Sequence, residues 1–157
     1  MRRKDREKDE AFALQMVDKC KFATVAMVTP EGKPYCVPLS IVRVGNLIYF
    51  HSAMKGEKID NLKANPQICM ACVGDVEPLK DKFTTAFESA VVKGKAEQVT
   101  DSQEKIEALR AICLRYTPEN MAQFDQAIAH SLNVTDVWRI SMDEVTGKAK
   151  VVHKEDK

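Results

Sequence analysis

The chain has 157 residues, with 24 Lys and Arg against 23 Asp and Glu and a formal net charge of +1. Near-neutrality leaves no bulk field to draw nucleic acid or an anionic membrane surface. Five cysteines at irregular spacing do not read as a disulfide framework, and no run is long and apolar enough to span a bilayer. The expectation is a cytoplasmic protein with reduced thiols, folded as one domain over 1–157 around a real core.

The opening MRRKDREKDE mixes charges of both signs and lacks the apolar stretch of a signal peptide, so 1–9 reads as a charged helical or frayed start. Phe12, Ala13, Met16, Val17 and Cys20 recur with helical spacing and predict the first helix. FATVAMVT follows as a buried strand and PEGK as a turn. PYCVPLSIVRV reads as a second strand. Its Pro38 cannot donate to a ladder, which implies an edge, a bulge or a place facing a ligand. Gly45-Asn46 signals a two-residue hairpin into LIYFHS, with Leu47, Tyr49 and His51 on one face and Ile48, Phe50 and Ser52 on the other.

A short helix with Ile59 and Leu62 on one side ends at Asn65-Pro66. QICMACVG is a fourth strand. KFTTAFESAVVKGKAEQV is long enough for a fifth, with Phe83, Thr85, Phe87, Ser89 and Val91 on one face. Thr100 and Gln103 form a capping box for a helix carrying Ile106, Leu109 and Cys113. Thr117-Pro118 opens another helix with Met121, Phe124 and Ile128 inward. VTDVWRISM is the last expected strand, and 143–157 reads as a C-terminal tail. Strands joined mostly by hairpins, with helices at the start, at one crossover and before the last strand, predict a mainly β, α+β fold. Its antiparallel sheet would be closed or nearly closed into a barrel. No Gly-rich dinucleotide or P-loop fingerprint is present.

The stretch HSAMKGEKIDNLKANP, 51–66, carries the chemistry. A strand ends at His51-Ser52, the chain turns at Gly56, and a helix begins whose first N–H groups carry the positive end of the dipole. Such a terminus binds phosphate, and Lys55 and Lys58 supply charge. A solvated, charged surface turn fits the same residues, and the local sequence leaves both readings open. VPLS, 37–40, likewise reads as an edge strand or as backbone facing a planar heteroaromatic ring. Cys69 and Cys72 form a C-x-x-C, but residues three apart in a strand face opposite ways and no second soft pair completes a zinc site. They read as small core residues. His130 and His153 lack partners for a catalytic or metal set. Trp138 reads as core or interface. No G-x-S-x-G elbow surrounds Ser89.

In order, TPEGKPYCVPLS, IYFHSAMKGEKIDNLKANPQICM and FESAVVKGKAE resemble the pyridoxamine 5′-phosphate oxidase-like split barrels, nearest to the 5-nitroimidazole resistance protein-related subgroup. The resemblance runs from about Phe12 to Met142, and His51 to Pro66 is its most specific part. It implies a six-stranded antiparallel split β-barrel that dimerises and binds FMN in clefts at the dimer interface. Carried over by position, Val37, Pro38, Leu39 and Ser40 would line the isoalloxazine ring. His51 and Ser52 would lie along the ribityl-phosphate side, and Lys58 would pair with the phosphate, helped by the turn from Ala53 to Gly56. Ser89 and Val91 would stand near the cofactor from one subunit or the other. His51 would also lie by the substrate, and Trp138 would close the flavin cleft.

The chain lacks the arginine-rich signature for pyridoxal phosphate, which argues against pyridoxamine oxidation. The activity so implied is an FMN-dependent oxidoreductase, nitroreductase-like, acting on a small acceptor. The alternatives are a flavin-storing protein without turnover and a haem-handling split barrel.

Overall fold

A computed structural model describes residues 2–80 and 82–151. After a 3-10 turn at Lys4–Arg6 come β1 (Glu7–Lys8), α1 (Glu10–Lys19), β2 (Ala23–Val28), β3 (Pro34–Leu39), β4 (Val42–Val44), β5 (Leu47–Ala53) and α2 (Glu57–Ala64). There follow β6 (Gln67–Leu79), β7 (Thr84–Gln98), α3 (Ser102–Tyr116), a 3-10 stretch at Pro118–Gln123, α4 (Phe124–Ser131), β8 (Thr135–Ser141) and β9 (Glu144–Lys150).

Every pairing is antiparallel, in the order β3-β2-β6-β7-β8-β5-β4, with β9 added to β7 and β1 to β9. The expected α+β class holds, but the described residues form nine strands rather than six, in a sheet that does not close. The extra strands have local causes. The second predicted strand breaks at Ser40-Ile41 into β3 and β4, because β3 pairs with β2 while β4 turns at Gly45 (φ 59°) to pair with β5. Most of the predicted tail is strand: β9 lies along β7 from Phe87 to Lys93, and two residues of the predicted frayed start pair with it as β1.

β7 organises the barrel. Along one edge it pairs with β6; along the other it pairs with β9 up to Lys93 and with β8 from Ala96. Its inward positions are Ala86, Ala90, Val92, Gly94 and Ala96, so the face predicted from Thr85 to Val91 is the outer one. Phe83 lies outside the strand in a turn, with φ 46° and full exposure.

Two cores result. Inside the barrel, Val25, Met27, Ile48, Phe50, Met70, Val92, Trp138 and Ile140 pack with Ala13, Met16 and Val17 of α1 and with Ile59 and Leu62 of α2. On the outer face of β4, β5 and β8, Val42, Tyr49 and Val137 meet Ala108, Leu109 and Ile112 of α3 and Phe124 of α4. Tyr49 donates to Glu104 at 3.0 Å, and Arg139 bridges Glu104 and Glu97 at 2.9 and 2.8 Å, so polar contacts fix α3 to the same strands. The cap of α3 is Asp101, whose carboxylate accepts from Glu104 N–H at 2.7 Å. The Thr100 box predicted from sequence lies one residue too early. Among the described residues no helix is long and apolar enough to cross a membrane.

Candidate functional site

The site begins where β5 leaves the sheet. Its alternation puts Ile48, Phe50 and Ser52 inward, and β8 sets Trp138, Val137 and Asp136 opposite Phe50, His51 and Ser52. β4 pairs with β5 only from Val44–Leu47 to Val42–Tyr49. That register, continued, would bring Ser40 to His51 and Pro38 to Ala53. Instead β3 departs to β2. The two stretches singled out in the sequence, 37–40 and 51–53, therefore flank the split in the barrel. α2 packs against β2 there and seals the interior with Ile59 and Leu62.

The turn into α2 is built for an open helix end. Gly56 sits at φ 138° and ψ 163°, a conformation that disfavours any side chain, and no side chain caps the helix. Its carbonyl accepts from Ile59 N–H at 2.8 Å and Asp60 N–H at 3.1 Å. Earlier N–H groups are left to solvent or to a ligand, at the positive end of the dipole. Ser52 Oγ donates locally to the Ala53 carbonyl at 2.9 Å.

α2 divides cleanly by exposure. Glu57, Asp60, Lys63 and Ala64 face solvent, whereas Ile59, Asn61 and Leu62 are buried and Lys58 is half-buried among them. Both acids of the first turn thus point away from the side that holds Lys58. Lys58 Nζ stands 5.4 Å from the centre of the Phe50 ring, and among the described residues no carboxylate pairs with it. Burial alone pushes its ammonium below the ordinary lysine range. His51 is exposed at the end of β5. Burial first, and the Lys58 charge second, lower its pKa and favour the neutral imidazole. A cation with no anion among the described residues, beside His51 and an uncapped helix end, is an arrangement that an incoming anion would complete.

The other predicted residues separate by face. Val37 and Leu39 point inward and pack on the barrel core, while Pro38 and Ser40 are exposed on the outside of an edge strand, where a missing proline N–H costs no ladder bond. Register then joins distant parts of the sequence. Pro38 lies opposite Thr24, Thr24 opposite Ala71, and Ala71 opposite Val91, so Pro38 and Val91 stand in one crosswise row on the outer face. Ser89, next to that row, faces Val73 and donates to the Lys148 carbonyl at 3.3 Å. Between these strands lies a groove of about 610 Å³ whose lining includes Phe22, Thr24, Ala71, Val73 and Lys21, none of them singled out in the sequence.

Trp138 points into the barrel. It is 3 % exposed inside the barrel, and its indole N–H donates at 2.9 Å to Asp136, itself buried and also accepting from Gln98 at 2.9 Å. Within the chain Trp138 is a core residue, one of the two places the sequence left open to it. His130 is exposed on α4, with Nδ1 2.8 Å from the Gln126 carbonyl oxygen, and His153 lies outside the described residues.

Cys69 and Cys72 diverge as expected, but only Cys72 is a core residue; Cys69 is exposed. Cys72 instead meets Cys20, and the hydrogen bond between them, together with burial, pushes the Cys72 thiol up and keeps it protonated. If the chain carries a flavin, as the resemblance implies, replacing Cys69 and Cys72 together by Ala should leave its reduction unchanged, and loss of the Cys72 side chain should cost about 1 kcal/mol. Photoreduction kinetics and a urea melt measure the two effects. Loss of flavin reduction with fold and cofactor retained would give the pair a redox role.

Fold and site together define a split-barrel α+β protein with an open, cationic helix terminus at the split. The chain belongs to the pyridoxamine 5′-phosphate oxidase family, whose model matches residues 9–149. No curated protein is significantly similar to it. Among solved structures it is similar to a candidate 5-nitroimidazole antibiotic resistance protein from Bacteroides thetaiotaomicron. The identity is 27%, over 90% of this chain and 84% of that one, with a TM-score of 0.77. A flavocytochrome from Azotobacter vinelandii is 24% identical over 94% of this chain and 72% of its own, with a TM-score of 0.75. A FAD- and haem-binding protein from Mycobacterium smegmatis is 19% identical over 96% and 78%, with a TM-score of 0.79. The last two likenesses concern the fold alone.

Proposed function

We propose that the chain is an FMN-binding oxidoreductase of the nitroreductase type, working as a homodimer with the cofactor in clefts between subunits. The observation that carries this reading is Lys58, a half-buried cation with no carboxylate partner among the described residues, next to the uncapped start of α2. These residues fit a phosphate monoester. Lys58 would pair with it, the first-turn N–H groups would donate to it, and the Ser52 hydroxyl stands close in sequence. Pro38 and Ser40 would border the ring from the edge strand. Neutral His51 would face the acceptor and offer it a hydrogen bond without adding charge. FMN, when bound, supplies the redox chemistry by carrying a hydride or single electrons to that acceptor. The candidate nitroimidazole-resistance protein among the relatives supports a nitro group as the acceptor's reactive end.

Dimerisation is supported by the outer face of β2, β3, β6 and β7. Phe22 (57 % exposed), Val73 (51 %) and Val76 (55 %) stand there with Ala26, Cys36, Pro38 and Ala71, an apolar surface that no described residue covers. Sedimentation should give a dimer at micromolar concentration, and Val73→Lys should shift it toward monomer and weaken FMN in step. A wild-type monomer that holds FMN tightly would contradict the shared site.

The function itself is tested by reconstituting the protein with FMN and passing it through gel filtration. An oxidised-flavin spectrum should travel with the protein, and dithionite-reduced protein should reoxidise anaerobically on adding a nitroimidazole. Retained flavin with no reoxidation leaves a flavin carrier, and a Soret band from haem with no flavin retention replaces the reading with the haem-handling one.

A further inference from the structure

Among the described residues the Asn61 side-chain nitrogen is the one buried side-chain polar atom without a hydrogen-bond partner. A buried donor left unpaired forfeits its hydration with nothing in return, so such a group needs a reason. Asn61 is 2 % exposed and follows Lys58 by three positions, about one helical turn. At about 100° per residue the inward face of α2 runs Asn61, Lys58, Leu62, Ile59. Ile59 and Leu62 join the apolar core, and Asn61 is buried on the same side as a polar side chain. The two polar side chains therefore share one edge of the inward face and the two apolar ones the other. Helical side chains lean toward the N-terminus, which tilts the Asn61 amide over the turn holding Lys58 and the uncapped N–H groups.

We infer that Asn61 is a second anion-binding residue of the Lys58 site, its amide N–H donating to an oxygen of the bound phosphate monoester. The inference rests on the proposed function for the identity of that phosphate as FMN's. Lys58 supplies charge without direction, while Asn61 supplies a directed donor without charge. The cost of an unpaired amide is carried by the ligand-free protein and relieved on binding.

The test compares Asn61→Leu, which removes the amide at similar size, and Asn61→Asp, which keeps the shape and turns the donor into a carboxylate. Fluorescence titrations with FMN and with riboflavin are combined with thermal midpoints of the ligand-free proteins. Asn61→Leu should melt no lower than wild type, bind FMN about 10-fold or more weakly, and bind riboflavin as before. Asn61→Asp should lose more FMN affinity than Asn61→Leu, through repulsion between like charges. A lower midpoint for Asn61→Leu with FMN affinity unchanged, or equal losses for both ligands, would mean that the amide serves the fold, and would overturn the inference while leaving the proposed function intact. If wild type binds no FMN, that function fails by itself. Inorganic phosphate then serves as the probe: a midpoint rise in wild type that is lost in Asn61→Leu keeps the inference, and no rise in wild type overturns it too.

Discussion

Lys58→Ala should weaken FMN by roughly 10- to 150-fold and leave riboflavin nearly untouched, because a charge-assisted hydrogen bond to phosphate contributes roughly 1.5–3 kcal/mol and riboflavin has no phosphate. The fold should survive. Lys58 lies on the same inward side of α2 as Ile59 and Leu62, but what it contributes there is a desolvated cation over the Phe50 ring rather than a core contact. Removing an unpaired, desolvated charge relieves a cost, which offsets a cation–π contribution of about 0.5–1 kcal/mol. Lys58→Met, which keeps the aliphatic stem, should lose FMN to the same degree. Lys55→Ala should matter far less, since Lys55 is exposed and exposed ion pairs typically contribute about 0–1 kcal/mol. Parallel fluorescence titrations with both ligands read all three variants. Equal losses for FMN and riboflavin would mean that Lys58 acts through the ring or the fold.

Gly94→Ala should abolish cooperative folding. A Cβ at this position would lie 1.7 Å from the Ser141 carbonyl oxygen and 2.8 Å from its carbon, both backbone atoms that cannot swing aside. The crowding arises where β7 exchanges β9 for β8. Asp143 N–H donates to the Lys93 carbonyl at 3.0 Å and Lys95 N–H to Ser141 Oγ at 3.0 Å, clamping the two chains across Gly94. Relief requires separating β7 from the β8–β9 connection, an expected loss of more than about 4 kcal/mol. Circular dichroism during a urea titration measures it. A variant within about 1 kcal/mol of wild type would show that the strands have room to part.

What the sequence made legible follows from pattern strength. α1, β2, the Gly45-Asn46 hairpin and β5 combine strong periodicity with a clear breaker, and all stand within a residue or two of expectation. β9 was hidden because its inward positions include Gly147 and Ala149. A Cβ on Gly147 would come within 3.0 Å of Phe12, so the close approach of α1 demands small residues and erases the apolar alternation. In β7 the sequence grouped Thr85, Phe87, Ser89 and Val91 on one face without showing which way it points, because apart from Val92 the buried positions are the small Ala86, Ala90, Gly94 and Ala96. Of the candidate site, the strand–turn–helix at 51–58 could be read locally, because Gly56 and Lys58 act through backbone geometry and position along one helix. Trp138 could not, since an aromatic at a strand end suits core or cleft equally until Asp136 is seen to hold its indole. Asn61 and the outer-face row from Pro38 to Val91 exist only in the assembled sheet, where register joins residues far apart in the chain.

On the proposed function, the start of α2 selects a flavin monophosphate. Isothermal titration of the wild-type chain, freed of ligand, with FMN, FAD and haem in turn tests it most directly. One FMN per chain should bind at micromolar affinity or tighter, with FAD and haem each weaker. Haem or FAD binding more tightly than FMN, or no heat with FMN, would contradict it.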